Sequence, residues 1–306
     1  MQAIVNAPSS KTTVELREVP EPTPAPHEAI VEVRAASINR GELRLLGMRP
    51  DGWRPGQDTA GVVVQPAADG SGPKKGARVV AWVDQAGWAQ RVAAPTNRVA
   101  ELPESVSFEA AATLPIAAMT ALRALRLGGQ LLGSRVLVTG ASGGVGRFAV
   151  EIAARSGAIV TAVSASSARA EGLQGLGAAD IVSETKDATG PFDLILESVG
   201  GSSLMAAVNL VAAHGAIVMY GNSSGQQATI GFTDFYGRPA RIYAFFVYQS
   251  GEPPSFGSDL AHLVSLIARQ QLHPHIGFKA SWRTPQSAFE ALRDRRVNGK
   301  AVLLFD

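Results

Sequence analysis

The first third of the chain contains short runs in which apolar and polar residues alternate. Residues 29–35 (AIVEVRA) alternate in this way, and 59–64 and 77–83 are further runs rich in β-branched residues. Glycine and proline separate the runs, and the proline-rich stretch 20–26 is an extended connection. This pattern is typical of half-buried strands. We therefore predict a β-rich first domain over 1–112.

From about residue 108 the pattern changes, and helical and strand segments alternate. The predicted helices lie at 110–127, 147–156, 169–176 and 204–213. The predicted strands lie at 135–139, 158–163, 192–196 and 216–220. Alternation at this spacing predicts βαβ units, so we expect an α/β domain with a doubly wound parallel sheet over 113–250. Helices at 259–270 and 284–293 and a strand at 301–305 follow, and we expect 251–306 to complete the first domain.

A glycine-rich turn, GASGGVG at 140–146, lies between a predicted strand and a predicted helix. Glycine there lets the backbone approach a pyrophosphate, and the helix N-terminus offers N–H groups and a partial positive charge. Ala141 stands where the strict GxGxxG pattern has its first glycine. The turn predicts a Rossmann dinucleotide site with contacts from Ser142, Gly143, Gly144 and Val145.

The end of the next predicted strand indicates which dinucleotide is bound. An NAD site has a carboxylate about 20 residues after the glycines, but no acidic residue lies between Glu151 and Glu171. Instead the strand ends in hydroxyls and a guanidinium, contributed by Ser164, Ser166 and Arg169. These groups suit a 2′-phosphate, which a carboxylate would repel. The sequence therefore predicts NADPH.

Two later turns follow predicted parallel strands, ESVG at 197–200 and YGNS at 220–223. Ligands of such sheets bind beyond the carboxyl ends of the strands. We therefore expect Val199, Gly221 and Asn222 to border the cofactor.

Composition narrows the function classes. The chain has 306 residues, of which 46% are hydrophobic and 18% charged, with a net charge of +2. This predicts a globular protein of two domains and argues against nucleic-acid binding. The N-terminus has no secretory pattern and no uninterrupted apolar span is present, so we expect a soluble, cytoplasmic protein without membrane contact. With no cysteine and five scattered histidines, we expect no disulfide and no metal site.

Eight segments, in order and spacing, resemble the zinc-free quinone oxidoreductase branch of the medium-chain dehydrogenase/reductase superfamily. They are SINRGE at 37–42, PGQDTAG at 55–61, GARV at 76–79, LP at 114–115, TA at 120–121, ASGGVG at 141–146, ESVGG at 197–201 and NGKAVL at 298–303. The resemblance implies a GroES-like N-terminal catalytic domain and a Rossmann domain. It also implies a homodimer, formed through the edge strand near 229–248.

The resemblance further implies a set of site residues. Asn39 would lie near the nicotinamide and the substrate, Thr120 near the nicotinamide ribose, and 244–248, with Phe245, Phe246 and Val247, under the nicotinamide ring. Relatives often place a tyrosine a few residues after the asparagine, but this chain has Arg44 there. A proton donor is therefore not assigned.

The predicted activity is hydride transfer from NADPH to a small molecule, either a quinone or another α,β-unsaturated carbonyl, with Asn39 donating a hydrogen bond to the carbonyl oxygen. A quinone would fit a slot lined by Trp53, Phe245 and Tyr248, although these aromatics equally suit a core. An enoyl thioester would fit a basic rim formed by Arg40, Arg44, Arg49 and Arg54. The third possible function is that of a non-catalytic sensor that binds NADPH.

Overall fold

The computed structural model describes residues 1–10, 13–250 and 255–306, and the chain forms two compact units. Unit 1 comprises Met1–Met119 and Glu252–Asp306, and unit 2 comprises Thr120–Gly251. The sequence prediction placed the first boundary at residue 112, near the start of the predicted helix 110–127, whereas unit 1 continues to Met119. No helix of the described ranges is long and apolar enough to cross a bilayer.

The secondary structure is given in chain order. The strands are β1 (Gln2–Asn6), β2 (Val14–Glu18), β3 (Glu28–Ile38), β4 (Asp58–Gln65), β5 (Arg78–Trp82), β6 (Arg91–Pro95), β7 (Val99–Glu101), β8 (Arg135–Val138), β9 (Ile159–Val163), β10 (Ala178–Val182), β11 (Phe192–Glu197), β12 (Val211–Met219), β13 (Arg241–Ala244), β14 (Ile276–Ser281) and β15 (Lys300–Leu304). The α-helices are α1 (Arg40–Leu46), α2 (Phe108–Ala112), α3 (Met119–Arg126), α4 (Gly144–Arg155), α5 (Ser167–Ala170), α6 (Gly201–Leu210), α7 (Phe256–Ala268) and α8 (Gln286–Arg293).

Unit 1 is built on a mainly antiparallel sheet in the order β14-β15-β3-β4-β5-β7, with β6 also paired to β3. β15 pairs antiparallel with β3 and parallel with β14. Buried aromatic rings fill the core, including an edge-to-face pair, Trp88 and Phe289, with ring centroids 5.2 Å apart. The C-terminal strands thus complete the sheet that the N-terminal strands begin.

Unit 2 contains one parallel sheet in the order β10-β9-β8-β11-β12-β13. Numbered within the sheet, this is the 3-2-1-4-5-6 order of doubly wound dinucleotide-binding domains. The doubly wound fold predicted from the βαβ alternation is confirmed. The reversal of strand order lies between β8 and β11, and doubly wound sheets bind their ligands at the carboxyl ends of the strands at such a point.

Two predicted helices are wrong in length. The stretch 110–127 divides into α2, a π-helical turn (Leu114–Ala118) and α3. Pro115 has no N–H to donate within the helix, and the N–H of Ile116 donates instead to Asp58 Oδ1 at 3.0 Å. Helix α5 ends at Ala170 instead of continuing to 176, because Glu171 leaves the helical conformation with ψ of 130° and Gly172 has φ of +79°.

Several strands were not predicted from the sequence, and they share short length or polar composition. In unit 2 this is the edge strand β10, whereas β13 falls within 229–248, where the resemblance implied an edge strand. In unit 1 they are β1, β2, β6, β7 and β14. An edge strand buries few side chains, so its sequence carries little hydrophobic periodicity.

Candidate functional site

The carboxyl ends of β8, β11 and β12 are joined by hydrogen bonds around Thr139, the residue after β8. The Ser198 N–H donates to Thr139 Oγ1 at 2.9 Å, and the Tyr220 hydroxyl donates to the Thr139 carbonyl at 3.4 Å. Burial raises the pKa of Tyr220, so its hydroxyl stays protonated. These contacts hold the ends of three parallel strands at one edge of the sheet.

The glycine turn follows directly. Gly140 takes the left-handed conformation, with φ of +60°, and the Ala141 N–H donates to the Val163 carbonyl at 3.0 Å. Alanine is therefore tolerated at 141, because the neighbouring glycine makes the strained turn. A Cβ on Gly146 would lie 2.4 Å from Gly140 O. Gly146 is thus needed for the close packing of α4 on the turn.

The predicted contacts of this turn lie at the N-terminus of α4. Gly143 is the N-cap residue, and Gly144 and Val145 form the first turn of the helix. Ser142 is buried, and its Oγ accepts a hydrogen bond from Arg169 Nε at 3.2 Å. The structure thus brings together two residues that the sequence prediction took from separate strand ends.

The end of β9 carries the other predicted 2′-phosphate residues. Ser166 caps α5 by accepting the Arg169 N–H at 3.4 Å. Ser164 is 4% exposed, and its Oγ is buried without a hydrogen-bond partner. A buried hydroxyl is normally hydrogen-bonded, so this oxygen fits a ligand that supplies the missing partner.

The turn after β11 is organised by a buried carboxylate. Glu197 accepts N–H groups from Val199 at 3.0 Å and from Gly200 at 3.0 Å, and the Ser203 hydroxyl at 2.9 Å. Gly200 has φ of +78°, and a Cβ there would lie 2.2 Å from Asn222 Oδ1. The predicted cofactor-border residues Val199, Gly221 and Asn222 therefore occupy two adjoining turns. The sequence prediction did not identify the role of Glu197.

The remaining predicted residues of unit 2 differ in exposure. Thr120, in α3, is 6% exposed. In the segment after β13, Phe245 and Val247 are buried, whereas Phe246 is 60% and Tyr248 45% exposed. The Phe245 N–H donates to the Met219 carbonyl at 2.8 Å, which holds this segment beside the end of β12.

Unit 1 contains a buried polar group of four residues, Asn39, Glu42, Asp58 and Lys300, which we call the Asn39 cluster. Lys300 Nζ donates to Asn39 Oδ1 at 2.6 Å and to Asp58 Oδ2 at 3.1 Å. Asn39 Nδ2 donates to Asp58 Oδ2 at 2.9 Å and to Glu42 Oε2 at 3.3 Å. The pairing of β15 with β3 places Lys300 here. The amide of Asn39 is therefore fixed by charged groups on both of its sides.

The cluster holds two carboxyl groups and one ammonium group. Burial, and then the negative charge of Asp58, raise the pKa of Glu42 to about 8, although hydrogen bonds from Asn39 and the charge of Lys300 oppose the shift. Glu42 Oε2 accepts the Asn39 N–H at 2.8 Å, while Oε1 is buried without a partner. A protonated Glu42 leaves the cluster electrically neutral.

Two further predicted residues of unit 1 lie outside this cluster. Arg44, in the last turn of α1, is exposed. Trp53 is half-buried against the core, and its Nε1 donates to Gln85 Oε1 at 2.7 Å. Arg40, one of the four rim arginines, donates to the Leu292 carbonyl at 3.2 Å. Among residues 1–10, 13–250 and 255–306, no group of three His, Asp or Glu side chains is arranged to hold a metal ion.

Two family descriptions match the chain in the order of its units. Residues 25–104 match the alcohol dehydrogenase GroES-like domain, and 144–266 match the zinc-binding dehydrogenase family. The chain belongs to the medium-chain dehydrogenase/reductase superfamily. Within this superfamily of oxidoreductases it is quinone oxidoreductase-like, as the sequence motifs indicated.

Three proteins illustrate the similarity. The spectinabilin polyketide synthase system protein NorB of Streptomyces orinoci is 33% identical over 292 residues, covering 91% of this chain and 13% of that protein. Quinone oxidoreductase-like protein 2 of Bos taurus is 25% identical, covering 96% and 89%. The solved Escherichia coli quinone oxidoreductase complexed with NADPH has a TM-score of 0.89 at 21% identity and full coverage of both chains, which shows a shared fold. The chain spans only a small part of the polyketide synthase protein.

Proposed function

We propose that the chain is an NADPH-dependent reductase that transfers a hydride to a quinone or another α,β-unsaturated carbonyl without a metal ion. The observation that carries this proposal is the end of β9, where Ser164 offers a buried, unpartnered hydroxyl beside the glycine turn and no acidic residue lies between Glu151 and Glu171. The fold shared with an oxidoreductase complexed with NADPH supports it.

The residues at this edge fit NADPH. Gly144 and Val145 present backbone N–H groups at the start of α4 to a pyrophosphate, and Gly143, whose own N–H donates to the Gly140 carbonyl at 3.0 Å, caps the helix beside it. Ser164, Ser166 and Arg169 offer hydroxyls and a guanidinium to the 2′-phosphate. When bound, NADPH supplies a hydride to an electron-poor carbon conjugated to a carbonyl.

In this proposal, Asn39 donates a hydrogen bond to the carbonyl oxygen as negative charge develops there. Its contact to Glu42, at 3.3 Å, is longer than its contact to Asp58, at 2.9 Å. The Nδ2 hydrogen facing Glu42 makes the weaker contact, so in this proposal it is the one that substrate binding would recruit, while the contact to Asp58 keeps the amide in place. Asn39→Ala should lower kcat with little change in NADPH affinity, and an unchanged kcat would show that Asn39 is not used in this way. Arg44, Trp53 and Tyr248 remain our candidates for the substrate pocket.

A metal-free reaction is supported by the donor set. The chain contains no cysteine, and the oxygens of Asn39 and Asp58 already surround the ammonium group of Lys300. This group places a positive charge beside Asn39, the proposed hydrogen-bond donor.

Reduction of an enoyl thioester is the second candidate. It is favoured by the 33% identity to a polyketide synthase protein over 91% of this chain. The deciding experiment follows NADPH oxidation by absorbance with an ortho-quinone, a para-quinone, a simple enone and crotonyl-CoA, and repeats each assay with NADH. Faster turnover of quinones with NADPH supports the main proposal, whereas preference for crotonyl-CoA selects the second. Binding of NADPH without turnover of any acceptor would indicate a sensor, and equal rates with NADH would refute the NADPH preference.

We also propose a homodimer formed through β13. Among the residues that the structure describes, this strand pairs only with β12, and Ile242 on it is 36% exposed. Phe232 and Tyr236 nearby in the chain are 83% and 80% exposed, with ring centroids 6.5 Å apart. An open strand edge that carries an exposed apolar residue suits pairing with a second copy. Sedimentation equilibrium should give twice the mass of 31.9 kDa, and Ile242→Lys should shift the protein to monomer.

A further inference from the structure

Arg147 is a charged residue in an otherwise apolar part of the cofactor-binding unit. It follows Gly146 in the first turn of α4, and its side chain is buried, with 6% exposure. Its Nη2 donates to the Glu171 carbonyl at 2.9 Å. This bond joins α4 to the residue that follows α5.

Two of the three nitrogens of this guanidinium, Nε and Nη1, are buried without a hydrogen-bond partner. A guanidinium has five N–H donors, and leaving several of them unsatisfied away from water is costly. Burial lowers the pKa of Arg147, and the nearby Glu171 carboxylate opposes that effect. Because arginine keeps its charge in proteins, the group would gain from an anion.

The segment from Ser164 to Glu171 connects this guanidinium with the proposed 2′-phosphate residues. At its beginning, Ser164 Oγ is also buried and unpartnered. Near its middle, Arg169 reaches back to Ser142. At its end, the Glu171 carbonyl accepts the hydrogen bond from Arg147 Nη2. Polar atoms without hydrogen-bond partners thus lie at both ends of this short segment, on Ser164 at its beginning and on Arg147 at its end. A phosphate group offers acceptor oxygens for both side chains.

We propose that Arg147 determines cofactor specificity by acting as a second guanidinium, with Arg169, for the 2′-phosphate of NADPH. The inference rests on the proposed function, because it assumes that this segment receives the 2′-phosphate. Hydrogen bonds between a guanidinium and a phosphate are charge-assisted and among the stronger ones in proteins. Arg147 would also hold the segment in place through Glu171.

The test measures binding of adenosine 2′,5′-bisphosphate and of 5′-AMP by calorimetry, so that activity is not needed. The two probes differ only in the 2′-phosphate. Arg147→Met should weaken the binding of the bisphosphate about ten- to a hundredfold and leave 5′-AMP nearly unchanged. Arg147→Lys keeps the charge but loses the planar fork, so its loss should be smaller. Arg155→Met, at an exposed position of the same helix, should bind both probes like the unaltered protein.

The outcomes separate this inference from the proposed function. If the unaltered protein binds both probes equally, the proposed NADPH preference is wrong, and the role of Arg147 falls with it. If it prefers the bisphosphate and Arg147→Met keeps that preference, only the present inference is overturned. An equal loss for both probes would also overturn it, since it would mean that Arg147 only supports the fold. Should Arg147→Met not fold, an unchanged preference in Arg147→Lys would count against the inference.

Discussion

Replacing Glu42 by glutamine should change how the stability of the protein depends on pH. Glu42 has a pKa of about 8 in the folded chain against an ordinary value of 4.5. Between these two values the folded state keeps a proton that the unfolded state releases. The group therefore contributes its full stability below pH 4.5, and this contribution falls as the pH rises to about 8.

The size of the effect follows from this interval. Each pKa unit corresponds to about 1.4 kcal/mol, so the interval amounts to a loss of about 5 kcal/mol in the free energy of unfolding. Glutamine cannot ionise, and its side-chain oxygen can still accept the Asn39 N–H that Glu42 Oε2 accepts at 2.8 Å. The stability of Glu42→Gln relative to the unaltered protein should thus rise by this amount between about pH 4.5 and about pH 8.

Urea unfolding followed by tryptophan fluorescence measures this difference. All four tryptophans, Trp53, Trp82, Trp88 and Trp282, lie in unit 1, which also contains Glu42. The signal therefore reports the unit that carries the substitution. Other titrating groups are common to both proteins, so their contributions cancel in the difference.

A matched control is Glu104→Gln, because the Glu104 side chain is 93% exposed. Its pH profile should run parallel to that of the unaltered protein. Parallel profiles for Glu42→Gln as well would refute the reasoning, since they would show that Glu42 ionises equally in the folded and unfolded chains.

Three other changes test the packing and the charges described above. Gly146→Ala should lower the free energy of unfolding by about 1–3 kcal/mol and weaken NADPH binding, because its Cβ would lie 2.4 Å from Gly140 O. The control Gly41→Ala, whose Cβ would have no atom within 4 Å, should leave stability in urea unfolding undiminished. Lys300→Met should cost about 3–5 kcal/mol in the free energy of unfolding at neutral pH, because it leaves the buried Asp58 carboxylate uncompensated. The loss should be smaller when Asp58→Asn is also present, and an equal loss with and without Asp58→Asn would contradict this account. Prolonged treatment with a zinc chelator should leave the reductase rate unchanged, and a loss that added zinc restores would disprove the metal-free proposal.

The sequence predicted the central parallel sheet well because its strands are continuous apolar runs between glycine turns. Helix α5 was predicted too long, although Gly172, Gly175 and Gly177 were visible in the sequence. Gly172, two residues after the end of the helix, takes a positive φ that continues no α-helix, and Gly177 takes one as well. The edge strand β10 escaped prediction because exposed strands show little periodicity.

The candidate site was predicted less completely. Asn39 was identified through the resemblance, but its partners Asp58 and Lys300 lie far from it in the chain, and only strand pairing brings them together. Lys300 had one local signal, a single charge at the start of an otherwise apolar strand. Arg147 had a weaker signal, a charge directly after the glycines of the turn and before the apolar residues 148–150. Neither signal states what the charge contacts, because that depends on the tertiary fold.

The pairing of β15 with β3 also bears on the order in which the chain folds during synthesis. Unit 2 is formed by one continuous stretch, so its strands are all available once residue 251 has been made. The sheet of unit 1 must wait for β14 and β15, which are translated after the whole of unit 2. Until then Asp58 lacks the ammonium group of Lys300, and the edge of β3 that later receives β15 is open. We therefore expect the nascent N-terminal segment to be the part of this protein that most depends on chaperones.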